Sequence, residues 1–258
     1  MSNMAAASGM VYFFLPYTAI SLLIYYVALR RKRSSDTKAG KSREVLVVTA
    51  HPDDECMFFA PTILQLVQEA NTKLNLLCLS TGNYYNHGEV RTKELIASCF
   101  TLGLQDAENI NVLNDERLKD GQEEEWDTDV IGHHVLQSVK KHNINMIVTF
   151  DASGVSGHKN HIACYTAVRN MVESGKLKKG TKLYFLQSVS IWRKYLIFLD
   201  IPFSILLSRH MFLTPPWNMW KSQRAMFAHA SQLTWYRLLY IIFSRYMTVN
   251  GYHKKSVH

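Results

Sequence analysis

A chain of 258 residues, 47% of them hydrophobic, is long enough for one α/β domain whose core needs no disulfide staples. Its four cysteines, Cys56, Cys78, Cys99 and Cys164, form no C-x-x-C pair, which excludes a cysteine-rich structural zinc site and a thioredoxin-like redox centre and suits a reducing compartment. The formal charge of +8 gathers between Arg30 and Arg43 and again after Trp192, where Asp200 is the sole acid; with no nucleic-acid motif alongside, it points to an anionic lipid surface and not to RNA or DNA.

In chain order, Val11 to Leu29 is free of charge and, at helical rise, matches the roughly 30 Å of a bilayer's hydrocarbon, so the sequence predicts one N-terminal transmembrane helix. No basic residue precedes it, while Arg30 to Arg33 follow directly. That order opposes a cleaved signal peptide and, by the positive-inside rule, puts the rest of the chain in the cytosol. The absence of any N-x-[ST] acceptor agrees with that side of the membrane. Residues 1–33 are therefore read as anchor and basic flank, and 34–42 as a polar tether.

From residue 43 the pattern changes. Val45 to Thr49 reads as a buried strand, Met57 to Ala70 as a helix, Leu74 to Ser80 as a strand and Glu89 to Leu102 as a helix. Asn109 to Leu113 and Ile144 to Phe150 read as further strands around a helix at Thr128 to Lys141, followed by a helix at Asn160 to Glu173 and a strand at Leu183 to Val189. Strands alternating with helices predict a Rossmann-like parallel α/β sheet over residues 43–190, with ligands bound outside the carboxyl ends of its strands. Residues 191–258 are aromatic, apolar and basic but too often interrupted for a second span. They read as a helical extension that either lies at lipid headgroups or covers the sheet.

The segment after the first strand lacks the G-x-G-x-x-G of a dinucleotide site and carries His51, Pro52, Asp53, Asp54 and Glu55 instead. His51 and Asp54, with His161 from the segment after the fourth strand, make a His/His/Asp donor set. Such a set suits zinc, would also accept iron(II), and leaves an open fourth position of the kind found in catalytic sites. Asp53 is placed to take a proton from water. His158 is placed to stabilise an oxyanion or protonate a leaving amine. Each residue also has an ordinary reading: Asp53 and Asp54 as acids at a helix start, His158 and His161 as one surface and one helix-start histidine. The two clusters gain weight together because both fall at neighbouring strand ends. Arg91 is a candidate for a substrate phosphate or hydroxyl, with an ion pair to Glu94 as the alternative. Asn83, Tyr84 and Tyr85 are candidates for a sugar site, and Glu55 for orienting a metal ligand.

AHPDDE after the first strand and GHKNH after the fourth resemble the PIG-L/LmbE-like superfamily of zinc-dependent de-N-acetylases, with all five site positions matching between about Arg43 and Val189. The resemblance implies one zinc ion on His51, Asp54 and His161, Asp53 as general base and His158 as its electrostatic or acid partner. Closer likeness to the eukaryotic branch in LCLSTGNYYNHGEVRTKEL and TFDASGVSGHKNHIA implies the lipid-linked substrate GlcNAc-phosphatidylinositol and release of acetate in the second step of GPI-anchor synthesis. It also implies the cytosolic face of the endoplasmic reticulum membrane. Two other functions remain open at this stage: de-N-acetylation of a soluble GlcNAc conjugate, and a non-catalytic scaffold or sugar-binding module.

Overall fold

A computed structural model describes residues 14–30, 42–121 and 124–257. Residues 14–30 form one helix, α1. The elements that follow are β1 (Arg43–Thr49), α2 (Asp54–Phe58), α3 (Ala60–Leu66), β2 (Thr72–Cys78), α4 (Gly88–Leu102), β3 (Ile110–Val112), α5 (Thr128–Lys141) and β4 (Met146–Phe150). After them come α6 (Gly154–Gly157), α7 (Lys159–Glu173), β5 (Lys182–Leu186), α8 (Ile191–Lys194) and α9 (Ile201–Leu207). The chain closes with β6 (His210–Leu213), α10 (Met219–Ala228), α11 (Trp235–Phe243) and β7 (Val249–Ser256).

Seven strands form one sheet in the order β3-β2-β1-β4-β5-β7-β6. The first five run parallel, and β1 lies between β2 and β4. Chain order therefore reverses at the β1/β4 boundary, and the crevice at the carboxyl ends of these two strands is where such sheets bind ligands. β1 and β4 are buried along nearly their whole length, as their β-branched and apolar runs require of strands covered on both faces. The segment after residue 190, expected to be helical, also supplies two strands. β7 pairs antiparallel with both β5 and β6, so the C-terminal part completes the same sheet.

The helix expected over Met57 to Ala70 is broken. Pro61 lies in the first turn of α3, where its missing N–H is harmless, and Phe59 leaves helical geometry at φ −117°. Asn250 of β7 fills the break: its Oδ1 accepts from the Thr62 backbone N–H and hydroxyl, and its Nδ2 donates to the Phe58 carbonyl.

The described residues give the N-terminal transmembrane expectation no support. Among the described residues no helix is long and apolar enough to cross a membrane. Residues 11–13 of the expected span, Arg31 to Arg33 and residues 34–41 of the tether lie outside the described residues. One side of α1 is packed on the domain instead. Ser21 and Tyr25 are buried, the Tyr25 hydroxyl donates to the Thr214 carbonyl, and Tyr17 Oη donates to the Leu199 carbonyl at 2.9 Å. Tyr25 joins Ile201, Leu213 and Val249 in a small apolar cluster apart from the main core. A helix solvated by lipid on all sides would not bond its hydroxyls to the domain in this way.

Candidate metal centre

The turn after β1 is built around Asp54. Its Oδ2 accepts the backbone N–H groups of Ala50 at 2.9 Å and His51 at 2.8 Å, which folds the turn back on itself and leaves Oδ1 facing His161 Nε2 at 3.1 Å. Across the β1/β4 boundary, His161 lies near the start of α7 and is fixed on two sides. Its ring stacks on Phe150 with centroids 3.9 Å apart, its Nδ1–H donates to the Gly154 carbonyl at 3.0 Å, and its buried Nε2 has no hydrogen-bond partner. Gly154 has to be glycine: at φ 55° an added Cβ would lie 3.0–3.2 Å from Ile162 and His161. Its neighbour Val155 holds φ 64°, an outlier for a β-branched residue, in the loop that carries this carbonyl.

His51 completes the set. Its Nε2 faces Asp120 Oδ1 at 3.3 Å and the Asn160 amide at 3.1 Å, while Nδ1 lies 3.9 Å from Asp54 Oδ2. Donor atoms of His51, Asp54 and His161 all lie within 4.8 Å of one another, and all three residues are buried. Nitrogen and oxygen donors about 2.0–2.2 Å from one ion are spaced on that scale. The electrostatics fit a cation as well. Burial opposes the charge on Asp54, but the adjacent His161 and His51 hold its carboxyl well below the usual carboxylate range. Burial also opposes charge on His51, yet Asp120, Asp54 and Asp53 together raise its pKa. An imidazole nitrogen facing an ionised carboxylate, with two further carboxylates near, has the donor chemistry to hold a divalent metal.

Asp53 stands next to these donors with its carboxylate held elsewhere. Its Oδ2 takes Arg237 Nη1 at 2.6 Å and lies 3.6 Å from Arg91 Nη2, and its backbone sits at φ 109°. Glu55 secures that uncommon conformation: its Oε2 accepts the Asp53 backbone N–H at 2.9 Å, and its Oε1 accepts from Ser98 Oγ at 2.5 Å and pairs with His229 Nε2 at 2.7 Å. His158, half-buried, stacks on His161 with centroids 4.7 Å apart and meets His51 edge-on at 5.1 Å. Burial, then His161 and His51, push its pKa down to about 4, so the imidazole is neutral at pH 7.

The five residues singled out from the sequence thus converge. Arg91 is buried and lies at the site, but its guanidinium is already shared: Nη1 donates to the Gly82 carbonyl at 2.9 Å, Nη2 to the Pro52 carbonyl at 2.8 Å, and Asp120 lies 3.4 Å away. A Cβ at Gly82, φ 69°, would collide with this guanidinium at 2.4 Å. Glu94 does not pair with Arg91, because its carboxylate accepts from the Ser231 N–H and hydroxyl. Asn83 accepts from the Gly88 N–H at the start of α4, and Tyr84 and Tyr85 are exposed on the loop before it, their rings 4.7 Å apart. Sequence reasoning missed Asp120, Arg237, His229 and Trp126, whose ring lies 5.6 Å from that of His51. The Asp120–Gly121 pair signals a turn, and Arg237 is the sole charge within an apolar nine-residue helix. Neither signal says that the residue reaches the first turn.

The Glu55–His229 pair supports a stability prediction. Burial disfavours both charges, but each holds the other ionised, lowering the Glu55 pKa and raising that of His229. The Glu55 contribution is full above the ordinary value of 4.5 and fades as pH falls through the lowered one. The His229 contribution is full below 6.5 and fades as pH rises through the raised one. The pair is thus worth most between those ordinary values. His229→Gln is expected to cost about 3–5 kcal/mol in urea unfolding and to flatten the alkaline side of the Tm-versus-pH curve. An unchanged curve would show that the pair is not ionised.

Comparison with known proteins agrees with this geometry. Residues 46–172 match the family model described as "PIG-L: GlcNAc-PI de-N-acetylase". The N-acetylglucosaminyl-phosphatidylinositol de-N-acetylase of Bos taurus is 47% identical, covering 86% of this chain and 87% of the relative. A probable enzyme of the same name from Schizosaccharomyces pombe is 36% identical over 90% of this chain and 94% of its own. Among solved structures, the N,N'-diacetylchitobiose deacetylase of Pyrococcus horikoshii superposes with a TM-score of 0.61 at 16% identity, covering 83% of this chain and 84% of the other, a likeness of fold.

Proposed function

The chain belongs to the PIG-L family of GlcNAc-PI de-N-acetylases, and from that premise we propose that it hydrolyses the N-acetyl group of GlcNAc-phosphatidylinositol to GlcN-phosphatidylinositol and acetate, the second step of GPI-anchor synthesis. The observation that carries the chemistry is the convergence of His51, Asp54 and His161 donor atoms beside Asp53 and His158. His51, Asp54 and His161 would hold one divalent metal, with zinc the ion best suited to two imidazoles and a carboxylate. When bound, the ion polarises the acetamide carbonyl and makes water a nucleophile at neutral pH.

The chain's own residues supply the rest. Asp53 takes a proton from the attacking water; its Oδ2 is pinned by Arg237 and Arg91, leaving Oδ1 for that proton. As water oxygen adds to the carbonyl carbon, negative charge grows on the carbonyl oxygen, and a ring N–H of the neutral His158 can donate to it. The C–N bond then breaks, the amine takes up the proton held by Asp53, and acetate leaves. His158→Ala is expected to lower kcat about 10²–10³-fold with metal content unchanged by elemental analysis. Arg237→Ala is expected to lower it roughly 10–100-fold, with partial recovery in Arg237→Lys. A variant with full turnover would remove that residue from the scheme.

Residence at the endoplasmic reticulum membrane, with the domain on the cytosolic side, forms part of the same reading. The buried free cysteines and the lack of glycosylation acceptors support it. The deciding assay measures acetate release from synthetic GlcNAc-PI in vesicles and from a soluble GlcNAc conjugate. Preference for the lipid-linked substrate is expected. Equal turnover would favour the soluble alternative, and no release from either would sink the reading.

A further inference from the structure

The helix that reaches into the site also exposes a broad apolar face. On one side of α11, Arg237 meets Asp53, Tyr240 Oη donates to the Met57 carbonyl at 2.7 Å, and Ile241 is buried. On the other side Trp235 is 74% exposed, and Leu238, Leu239, Ile242 and Phe243 are exposed with it. Neighbouring elements that pack against α11 and α1 carry exposed apolar side chains as well. Lys194, ending α8, lies over the Tyr240 ring at 5.4 Å, and Tyr195 lies 6.5 Å from the same ring. Arg193 of α8 bonds Asp200 at the start of α9 at 2.6 Å, and Ile201 and Ile205 of α9 pack against α1. Along that path Trp192 is 82% and Leu206 83% exposed, and Ile191, Phe203 and Leu207 are exposed beside them. Monomeric soluble proteins rarely leave so many large apolar side chains on neighbouring elements uncovered.

Charge identifies what covers it. The chain beyond residue 190 has nine Lys and Arg against one acid, and that acid, Asp200, is fully buried between Arg193 and Arg245. No carboxylate side chain from this segment is therefore presented outward, while Lys194 and the exposed Arg209 flank the apolar side chains. Exposed tryptophan and leucine, rimmed by cations and free of acidic side chains, is the composition of a surface that beds into the interface of an anionic bilayer.

We propose that α8, α9 and the outer face of α11 form a membrane-docking surface that beds into an anionic lipid interface and holds the site over the headgroups. It acts in addition to any attachment through α1, whose own outward residues Ile20, Leu23 and Val27 are exposed next to it. The docking rests on the lipid-linked substrate reading for its purpose. It can be tested without catalysis.

The four native cysteines are buried, so spin labels on full-length Trp192→Cys and Leu206→Cys report those positions alone. A control label replaces the exposed Lys140, at the far end of α5. With vesicles of phosphatidylcholine containing about one-third phosphatidylserine, the labels at 192 and 206 should become shielded from a water-soluble relaxant and open to oxygen. The control should stay open to water. Partitioning should fall at least tenfold on pure phosphatidylcholine, since the two flanking cations each favour an anionic surface severalfold. In parallel, Trp192→Ser with Leu206→Ser should lose at least tenfold in turnover of vesicle-borne GlcNAc-PI and keep its rate on the soluble headgroup. Labels that stay water-exposed with vesicles would overturn the proposal. So would labels shielded without lipid, which would mark a second copy of the chain or another protein as the cover, or partitioning indifferent to lipid charge. If the unaltered chain turns over neither substrate, the functional reading fails while the label depths still decide the docking.

Discussion

Asp53→Asn should retain its metal and lose about 10²–10⁴-fold in kcat, the contribution general-base catalysis ordinarily makes. Asparagine is the informative replacement because of the backbone. Asp53 holds φ 109°, and asparagine tolerates positive φ better than alanine, so the turn that carries His51 and Asp54 should survive. The substituted amide can still meet Arg237 through its oxygen but cannot accept a proton from water at neutral pH. Metal content measured on the purified variant separates the two ways of losing activity. Full turnover in Asp53→Asn would remove Asp53 from the role of base, and loss of metal would make it a ligand.

The second large effect concerns the donor set itself. Chelation should abolish acetate release, and zinc should restore it. His161→Ala should fall to background and bind the ion at least tenfold more weakly, measured by competition with a chromophoric chelator. His161 is the sharpest of the three ligands to remove. Phe150 and the Gly154 carbonyl fix its ring from two sides, so the loss falls on Nε2, the nitrogen that faces the Asp54 carboxylate and makes no hydrogen bond among the described residues. A metal-free protein with full activity would end the metal-dependent scheme. Restoration by iron(II) and not by zinc would keep the ligands and change the ion.

Much of this site could be read in the sequence because its parts are local. Asp54 reaches back three and four residues to the His51 and Ala50 N–H groups, and His158 and His161 lie one turn apart at the start of α7. Alternating strands and helices then bring the two segments to one crevice by a general rule of open sheets. The α5 boundaries agree with the pattern because Asp127 caps its first turn and Lys140 and Lys141 end it. Asp120, Arg237 and His229 were not legible, since their partners lie 69 to 184 residues away in sequence and no periodicity encodes such pairings. The same holds for β7, whose alternation is weak and whose role depends on an open edge at β5. The N-terminal segment is the opposite case. Its uncharged run fits a bilayer by length, and only the structure reveals that Ser21 and Tyr25 face protein.

The position of β7 between β5 and β6 has a bearing on when this protein becomes an enzyme. During synthesis the first five strands can assemble as soon as they emerge, but among the described residues β6 has no neighbour to pair with until the residues of β7 leave the ribosome. Those residues also bring Asn250 to the break between α2 and α3, and the stretch just before them brings Arg237 to Asp53. A chain cut before α11 would therefore carry the proposed metal ligands without the frame that aims the proposed base, and it should be folded in part yet chemically silent.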